Sequence, residues 1–165
     1  DFANGLPLAV FACKRHHLSD PISEAVRQLE RYQEAGEDFL GQGAPALFHT
    51  AQVLVATCGT RARCGTVLTP ARFYAAWRDA WPLTDGELCD LTGRETADQL
   101  NEQERLLCGL FRRETLLEMT RTFVAFETEH GRTVKKLARY QQFRAVGRTV
   151  KRIRSALTPG QRGGV

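Results

Sequence analysis

The fold expected for this chain is decided by one stretch near its start, NGLPLAVFACKR, which occupies residues 4–15. Asn-Gly ahead of an apolar run is a strong signal for a two-residue β-hairpin turn. A continuous apolar run of this length is typical of a strand that is buried on both faces. The run stops at two basic residues, Lys14 and Arg15. The stretch therefore predicts a tight turn and then a buried strand that ends in a lysine.

Lys14 has two interpretations. A strand that brings one amine to the rim of a sheet is one way to position a lysine beside a phosphate, and His16 and His17 follow closely enough to touch the same phosphate. Alternatively, Lys14 and Arg15 only mark the point at which the strand reaches water, because charged side chains are rarely buried. The histidine pair is then an ordinary loop. On these residues alone, the second interpretation is favoured.

Composition is that of a globular chain with a basic balance. The 165 residues are 42% hydrophobic and 25% charged, with a net charge of +4 and a pI near 9.0. This length suits one domain, or one domain and part of a second. No apolar run reaches the roughly 18 residues of a membrane span, so no membrane partner is expected. The chain starts at Asp1 and has no signal-peptide pattern, which suggests a piece of a longer protein.

The basic residues are unevenly distributed. Only four of the 23 Lys and Arg residues are lysines, and from Arg132 to the end every charged side chain is basic. Such a segment is typical of surfaces that bind nucleic acid or nucleotide phosphates, and a solvated basic helix face gives the same pattern. Arginine suits phosphate recognition, although arginine enrichment also follows from genome composition.

The cysteines indicate reduced thiols. Five Cys and four His residues are scattered along the chain, and no CxxC pair occurs. No spacing therefore indicates a metal site. Because free thiols are typical of cytosolic proteins, we expect a cytoplasmic protein.

The first 68 residues are predicted to form a small α/β core. Asp20-Pro21 is a helix-start signal, and the helix is expected over residues 21–34 with Ile22, Val26 and Leu29 as its apolar stripe. Further strands are predicted over residues 47–57 and 61–67. The order strand, helix, strand, strand indicates a mixed sheet with a flanking helix.

The rest of the chain is predicted to be mostly helical. A helix is expected from residue 69, carrying Phe73, Trp77 and Trp81, and another over residues 113–123. Residues 82–86 are predicted to be a loop, 92–105 a polar segment, 123–126 a short strand or helix end, and 127–132 a polar break. A last helix should reach about residue 157, with a loop over 158–165.

Several blocks, in this order, resemble the restriction (R) subunit of type I restriction–modification enzymes. The blocks are NGLPL at 4–8 with the strand to Lys14, QLERY at 28–32, TPARFYAAW at 69–77, LLE at 116–118 and KKLARYQQFRAV at 135–146. RGGV at 162–165 resembles the residues just ahead of that family's Walker A loop. The resemblance covers nearly the whole chain.

The resemblance implies a large ATP-driven DNA translocase with a PD-(D/E)xK nuclease domain at its N-terminal side. Residues 1–68 would be the later part of a restriction-endonuclease-like domain, 69–131 a helical connector and 132–165 the start of the motor domain. The implied activity is ATP-dependent restriction of foreign DNA. The implied cofactors are Mg²⁺ and ATP, and the implied partners are double-stranded DNA and the methylation and specificity subunits.

The resemblance also implies a nuclease site that is incomplete here. The motif lysine corresponds to Lys14, but the motif acid is replaced by Ala12, and the other metal-binding Asp falls before residue 1. The family's Q-x-x-x-Y element, which bears on DNA binding or cleavage, corresponds to Gln28 and Tyr32. Losing one carboxylate removes much of the charge compensation of a Mg²⁺ site. We therefore expect no DNA cleavage by this chain.

Two alternatives to a nuclease fragment stay open at this point. The first is a non-catalytic nucleic-acid-binding module with a nuclease-like fold, which Ala12 and the absent Asp favour. The second is a truncated product without activity. Its sheet would lack the preceding strand and leave one edge unpaired, so poor folding is its expected signature.

A second resemblance concerns the nucleotide. The residues Gln141 and Gln142 resemble the Q motif of superfamily 2 helicases, in which a glutamine hydrogen-bonds the adenine edge, and the spacing favours Gln142. A side-chain amide offers both a donor and an acceptor to the base. Phosphate binding itself needs the Walker A loop.

Overall fold

The computed structural model describes residues 2–129 and 131–155. The strands within them are β1 (Phe2–Ala3), β2 (Leu6–Pro7), β3 (Ala9–Cys13), β4 (Val53–Thr57), β5 (Ala62–Gly65), β6 (Val124–Glu129) and β7 (Arg132–Leu137). The helices are α1 (Pro21–Tyr32), α2 (Asp85–Thr92), α3 (Glu102–Leu110), α4 (Arg113–Thr122) and α5 (Tyr140–Ser155). The predicted α/β fold class is confirmed. The predictions for residues 156–165 lie outside the described residues.

The predicted turn at Asn4 and Gly5 is present. β1 pairs antiparallel with β2, with Ala3 opposite Leu6, so two residues close the hairpin. The φ angles are 50° at Asn4 and 83° at Gly5. Two consecutive positive φ angles are what a type I′ turn requires.

A three-stranded mixed sheet in the order β3-β4-β5 forms the centre of the first part of the chain. β3 runs parallel to β4, and β5 runs antiparallel to it. Every residue of β4 is buried, whereas β3 ends exposed at Cys13 and is half-buried at Val10 and Phe11. The prediction that β3 is buried on both faces is therefore wrong. The cause is its position, because in the described part of the chain only β4 pairs with it.

Helix α1 covers one face of this sheet. It starts as predicted, with the Asp20 side chain accepting a hydrogen bond from the backbone N–H of Ser23 at 3.3 Å. The predicted stripe of Ile22, Val26 and Leu29 is buried. These side chains face the sheet, and Val26 and Leu29 share a cluster with apolar residues of β3 and β4.

The predicted helix over residues 69–81 is wrong. Only a short 3₁₀ turn forms, and the chain then runs beside β5, where Cys64 and Ala75 exchange backbone hydrogen bonds of 2.8 and 3.0 Å. Trp77 is buried while Phe73 is 51% exposed, so these aromatic residues do not share a face. The backbone pairing of this segment with β5 overrides the helical pattern that their spacing suggests.

Two helices lie where the sequence predicted a loop and a polar segment. α2 and α3 each begin with a reciprocal capping box, formed by Thr84 with Glu87 and by Asn101 with Glu104. The predicted helix over 113–123 is confirmed as α4. The sequence signal for the two missed helices was present, because S/T/N-x-x-E is the pattern of a capping box.

Two further predicted boundaries differ. The strand expected over 47–57 starts only at Val53, because Pro45–Phe48 forms a 3₁₀ helix. The polar break expected over 127–132 is the end of an antiparallel hairpin of β6 and β7. Gly131 lies in its turn with a φ of 77°.

One hydrophobic cluster joins the three predicted segments of the chain. Trp77 and Phe143 lie 6.0 Å apart by ring centroid, which connects the middle of the chain to α5. The sheet contributes to the same cluster, whose buried members are Ala9, Val53, Val55, Ala62, Cys64, Trp77, Leu106, Leu110, Leu116, Met119 and Phe143. The boundaries 1–68, 69–131 and 132–165 stay predictions. In the described ranges, no helix has the length and hydropathy needed to cross a bilayer.

We expect Gly109→Ala to destabilise the fold although alanine favours helices. A Cβ at Gly109 would lie 2.7 Å from the Asp79 carbonyl oxygen and 2.8 Å from Trp77 Nε1. Overpacking of this kind costs about 1–3 kcal/mol. Gly86→Ala in α2 is the matched control, because a Cβ there meets only Thr84 Oγ1 at 4.0 Å. The melting temperature in thermal unfolding should fall for Gly109→Ala alone. Equal melting temperatures for the two variants would contradict the packing described.

Candidate functional site

The lysine predicted from the sequence lies at the end of β3. The backbone N–H of Lys14 donates a hydrogen bond of 2.8 Å to the Thr57 carbonyl oxygen, which continues the parallel pairing by one residue. Its side chain is half-buried. Side chains two residues apart on a strand share a face, so Lys14 lies on the face that carries Ala12.

Ala12, at the position of the motif acid, is packed against α1. Its side chain is 3% exposed and contacts an apolar cluster that includes Ala25, Leu29 and Ala56. A methyl group cannot ligate a metal, and no group of three Asp, Glu, His or Cys residues within the described ranges can hold one. The described residues therefore offer no metal ligand at this position of β3.

Gln28 and Tyr32 form a direct contact on α1. The side-chain amide of Gln28 donates a hydrogen bond of 2.6 Å to the Tyr32 hydroxyl. The pKa of Tyr32 lies below its ordinary value, first because of this hydrogen bond, and further because the charges of Arg31 and Lys14 act on the phenol. The structure thus brings Gln28 and Tyr32 together on the helix that covers the Lys14 face of the sheet.

The histidine pair lies beyond this site. His16 and His17 are exposed, and their rings meet edge to face at 5.7 Å. No contact joins them to Tyr32 or Gln28 in the part of the chain that is described. The structure gives them the loop position that the simpler interpretation predicts.

Gln142 lies in a different site, at the start of α5. Its side-chain oxygen accepts a hydrogen bond of 2.8 Å from the backbone N–H of Arg139, so the residue caps its own helix. Gln142 also lines a groove of about 810 Å³, whereas Gln141 does not. The structure therefore favours Gln142 over Gln141 for contact with a ligand in this groove.

The same groove is basic. Among its described lining residues are Arg72, Lys135, Lys136 and Arg139, and none is a carboxylate. At the side of the groove, the Arg72 guanidinium stacks on Phe73, with its carbon 4.7 Å from the ring centroid. The sequence interpretation missed this pair because it assigned both residues to a helix. A basic groove with an exposed aromatic ring suits the phosphates and base of a nucleotide.

The arrangement is that of a mixed α/β core, with a lysine at the end of one strand and a Gln–Tyr pair on the crossover helix, compatible with part of a nuclease-like domain. Residues 2–73 match the family model described as the N terminus of the type I restriction enzyme R protein. This segment belongs to that family, and the resemblance drawn from the sequence is confirmed.

Two curated proteins align with more of the chain. The type I restriction enzyme HindI endonuclease subunit of Haemophilus influenzae is 32% identical over 90% of the chain. A Methanocaldococcus jannaschii protein, named as the MjaIXP endonuclease subunit of a type I restriction enzyme, is 25% identical over 98%. The chain spans only 13% and 15% of their lengths. No solved structure matches the chain significantly.

We expect Tyr32 to titrate below the usual pH range of a tyrosine, and Gln28→Leu to raise its pKa. The Gln28 amide donates to the phenol oxygen, and such a bond stabilises the charged phenolate more than the neutral phenol. The measurement is the ¹³Cζ chemical shift of Tyr32 as a function of pH. Gln42→Leu is the control, because the Gln42 side chain bonds only the Asp38 carbonyl oxygen. An unchanged Tyr32 titration in Gln28→Leu would contradict the contact.

Proposed function

We propose that this chain is part of the R subunit of a type I restriction–modification enzyme, which acts on foreign DNA by ATP-dependent translocation and cleavage. Its partners would be double-stranded DNA and the methylation and specificity subunits, in the cytoplasm. Residues 1–68 would be the nuclease-like domain, 69–131 the connector and 132–165 the start of the motor. The family match and the two relatives support this proposal.

Within that role, the first part of the chain binds DNA without cutting it. The observation that carries this is the hydrogen-bonded Gln28–Tyr32 pair on the helix that covers the Lys14 face of the sheet, together with the buried alanine at residue 12. A lysine acts as a point charge for a phosphate. Because the Tyr32 oxygen accepts a hydrogen bond from the Gln28 amide, the hydroxyl hydrogen of Tyr32 is available to donate to a phosphate oxygen. Neither contact needs a metal ion.

The absence of a cleavage step follows from Ala12. The ordinary route in such nucleases uses carboxylates to hold Mg²⁺, and the described residues do not fit that ion. The burial of Ala12 under α1 also favours the second candidate function, a non-catalytic nucleic-acid-binding module with a nuclease-like fold. In both cases DNA contact depends on Lys14. They differ in whether the complete protein cleaves DNA through residues outside this segment.

We expect Lys14→Gln to weaken binding of double-stranded DNA by the full-length protein, and the unaltered protein to show no Mg²⁺-dependent cleavage at this site. The plot of log K against log salt concentration has a negative slope, and removing one phosphate contact makes that slope less steep by about 0.9. The control is Arg113→Gln, the same charge change at an exposed position of α4. Fluorescence anisotropy with a labelled duplex measures binding. Cleavage that needs Lys14 would refute the non-catalytic assignment, and equal binding by both variants would refute the DNA contact.

We further propose that the groove beside Gln142 takes the adenine of ATP. The amide of Gln142 would read the base edge, and the basic side chains of Arg72 and Arg139 would favour the phosphates. Supporting this are the groove's size, the lack of carboxylates among its described lining residues and the position of Gln141 outside that lining. The complete phosphate site would require the Walker A loop.

We expect Gln142→Glu to lower ATP affinity of the full-length protein by about twofold to tenfold. A carboxylate retains the oxygen that caps α5 but loses the amide donor to adenine, and one hydrogen bond contributes about 0.5–1.5 kcal/mol. The matched control is Gln141→Glu, which makes the same charge change one residue away. Calorimetric titration with ATP measures both variants. Equal losses would mean that added charge, not the contact with adenine, is responsible.

A further inference from the structure

Arg31 stands next to the candidate DNA site but has no place in the family motif. It precedes Tyr32 in the last turn of α1, and its guanidinium carbon lies 5.5 Å from the centroid of the Tyr32 ring. Both side chains are exposed. The Q-x-x-x-Y pattern names only Gln28 and Tyr32, so the sequence resemblance gives Arg31 no role.

The charge of Arg31 is not neutralised by an acid. Within the described residues, neither Arg31 nor Lys14 has a carboxylate within salt-bridge distance. Lys14 lies on the face of the sheet that α1 covers, and Arg31 lies over the Tyr32 ring on that helix. Two cations without a carboxylate partner, on the same side of the sheet as a hydrogen-bond donor, form an arrangement suited to an anion. In a protein that binds DNA, that anion is a backbone phosphate.

A simpler explanation of Arg31 is that it stabilises α1. A cation in the last turn of a helix interacts favourably with the helix dipole. That role requires neither the contact with Tyr32 nor cooperation with Lys14. The two explanations differ in their predictions, because the helix role affects stability and the phosphate role affects DNA affinity.

We propose that Arg31 is a DNA ligand that binds the same backbone phosphate as Lys14 and Tyr32. The guanidinium supplies a pair of parallel N–H donors, the lysine a point charge, and the phenol one O–H donor. Gln28 fixes the position of the phenol by its hydrogen bond. This inference rests on the proposed DNA-binding function and names a further residue of the same site.

The binding mode explains how the site keeps a function with Ala12 in place. All three ligands are hydrogen-bond donors, so the phosphate charge is compensated without a carboxylate or a metal ion. Ala12 takes no part, because it is buried under α1 in the apolar cluster. Binding at this site should accordingly persist in EDTA, without Mg²⁺.

The test compares Arg31→Gln with Arg27→Gln in the full-length protein. Both arginines are exposed on α1, one turn apart, and the variants make the same charge change. Binding of a labelled duplex is measured by anisotropy over a range of salt concentrations, and thermal unfolding is measured separately. We expect Arg31→Gln to make the slope of log K against log salt concentration less steep by about 0.9 and to weaken low-salt binding severalfold. Arg27→Gln should bind nearly as the unaltered protein does.

The possible failures are distinguishable. If Lys14→Gln weakens binding and Arg31→Gln does not, Arg31 is not a phosphate ligand, while the proposed DNA function stands. The same conclusion follows if Arg31→Gln lowers only the melting temperature, or if it equals Arg27→Gln in binding. If the unaltered protein's binding is insensitive to Lys14 and Arg31 alike, the proposed DNA site itself is refuted.

Discussion

The parallel pairing of β3 with β4 is the constraint on which the rest of the structure depends. Parallel neighbours cannot be joined by a tight turn, so a crossover element must cover the sheet between them. Here that element is α1, which packs its apolar stripe on the sheet. The same crossover carries Gln28 and Tyr32 on the side of the sheet on which Lys14 lies. The candidate DNA site is therefore a consequence of how the core is built.

Ala12 shows how closely the site and the core are connected. Small side chains at Ala12, Ala25 and Ala56 lie in one cluster between the sheet and α1, and short side chains allow a helix to approach a sheet closely. A glutamate at residue 12 would place its carboxylate among apolar side chains, where an unpaired charge is costly. Residue 12 therefore has neither a carboxylate nor the space for one, because the apolar side chains of α1 pack against it.

Local signals were sufficient for the elements that local chemistry determines. The Asn-Gly turn, the start of α1 at Asp20 and its buried stripe are determined by residues within one or two turns of each other, and all are confirmed. The edge position of β3 and the extended segment after Phe73 depend on distant partners, such as the pairing of Cys64 with Ala75. For the site, motif spacing could place Gln28 and Tyr32 on one side of a helix. It could not reveal that Arg31 stacks on the tyrosine or that Gln142 caps α5, because both depend on side-chain conformation.

Lys135 connects the two candidate sites physically. Its amine, half-buried on β7, donates hydrogen bonds to the Ala51 carbonyl oxygen at 3.0 Å and to the Gln52 side chain at 2.6 Å, and burial lowers its pKa. The backbone N–H of Gln52 in turn donates to the carbonyl oxygen of Leu8, directly before β3. Because desolvating an ammonium group is unfavourable, the two acceptors are needed to hold the amine there. These hydrogen bonds therefore attach β7, which leads into the helix that carries Gln142, to the segment directly before β3, which ends at Lys14.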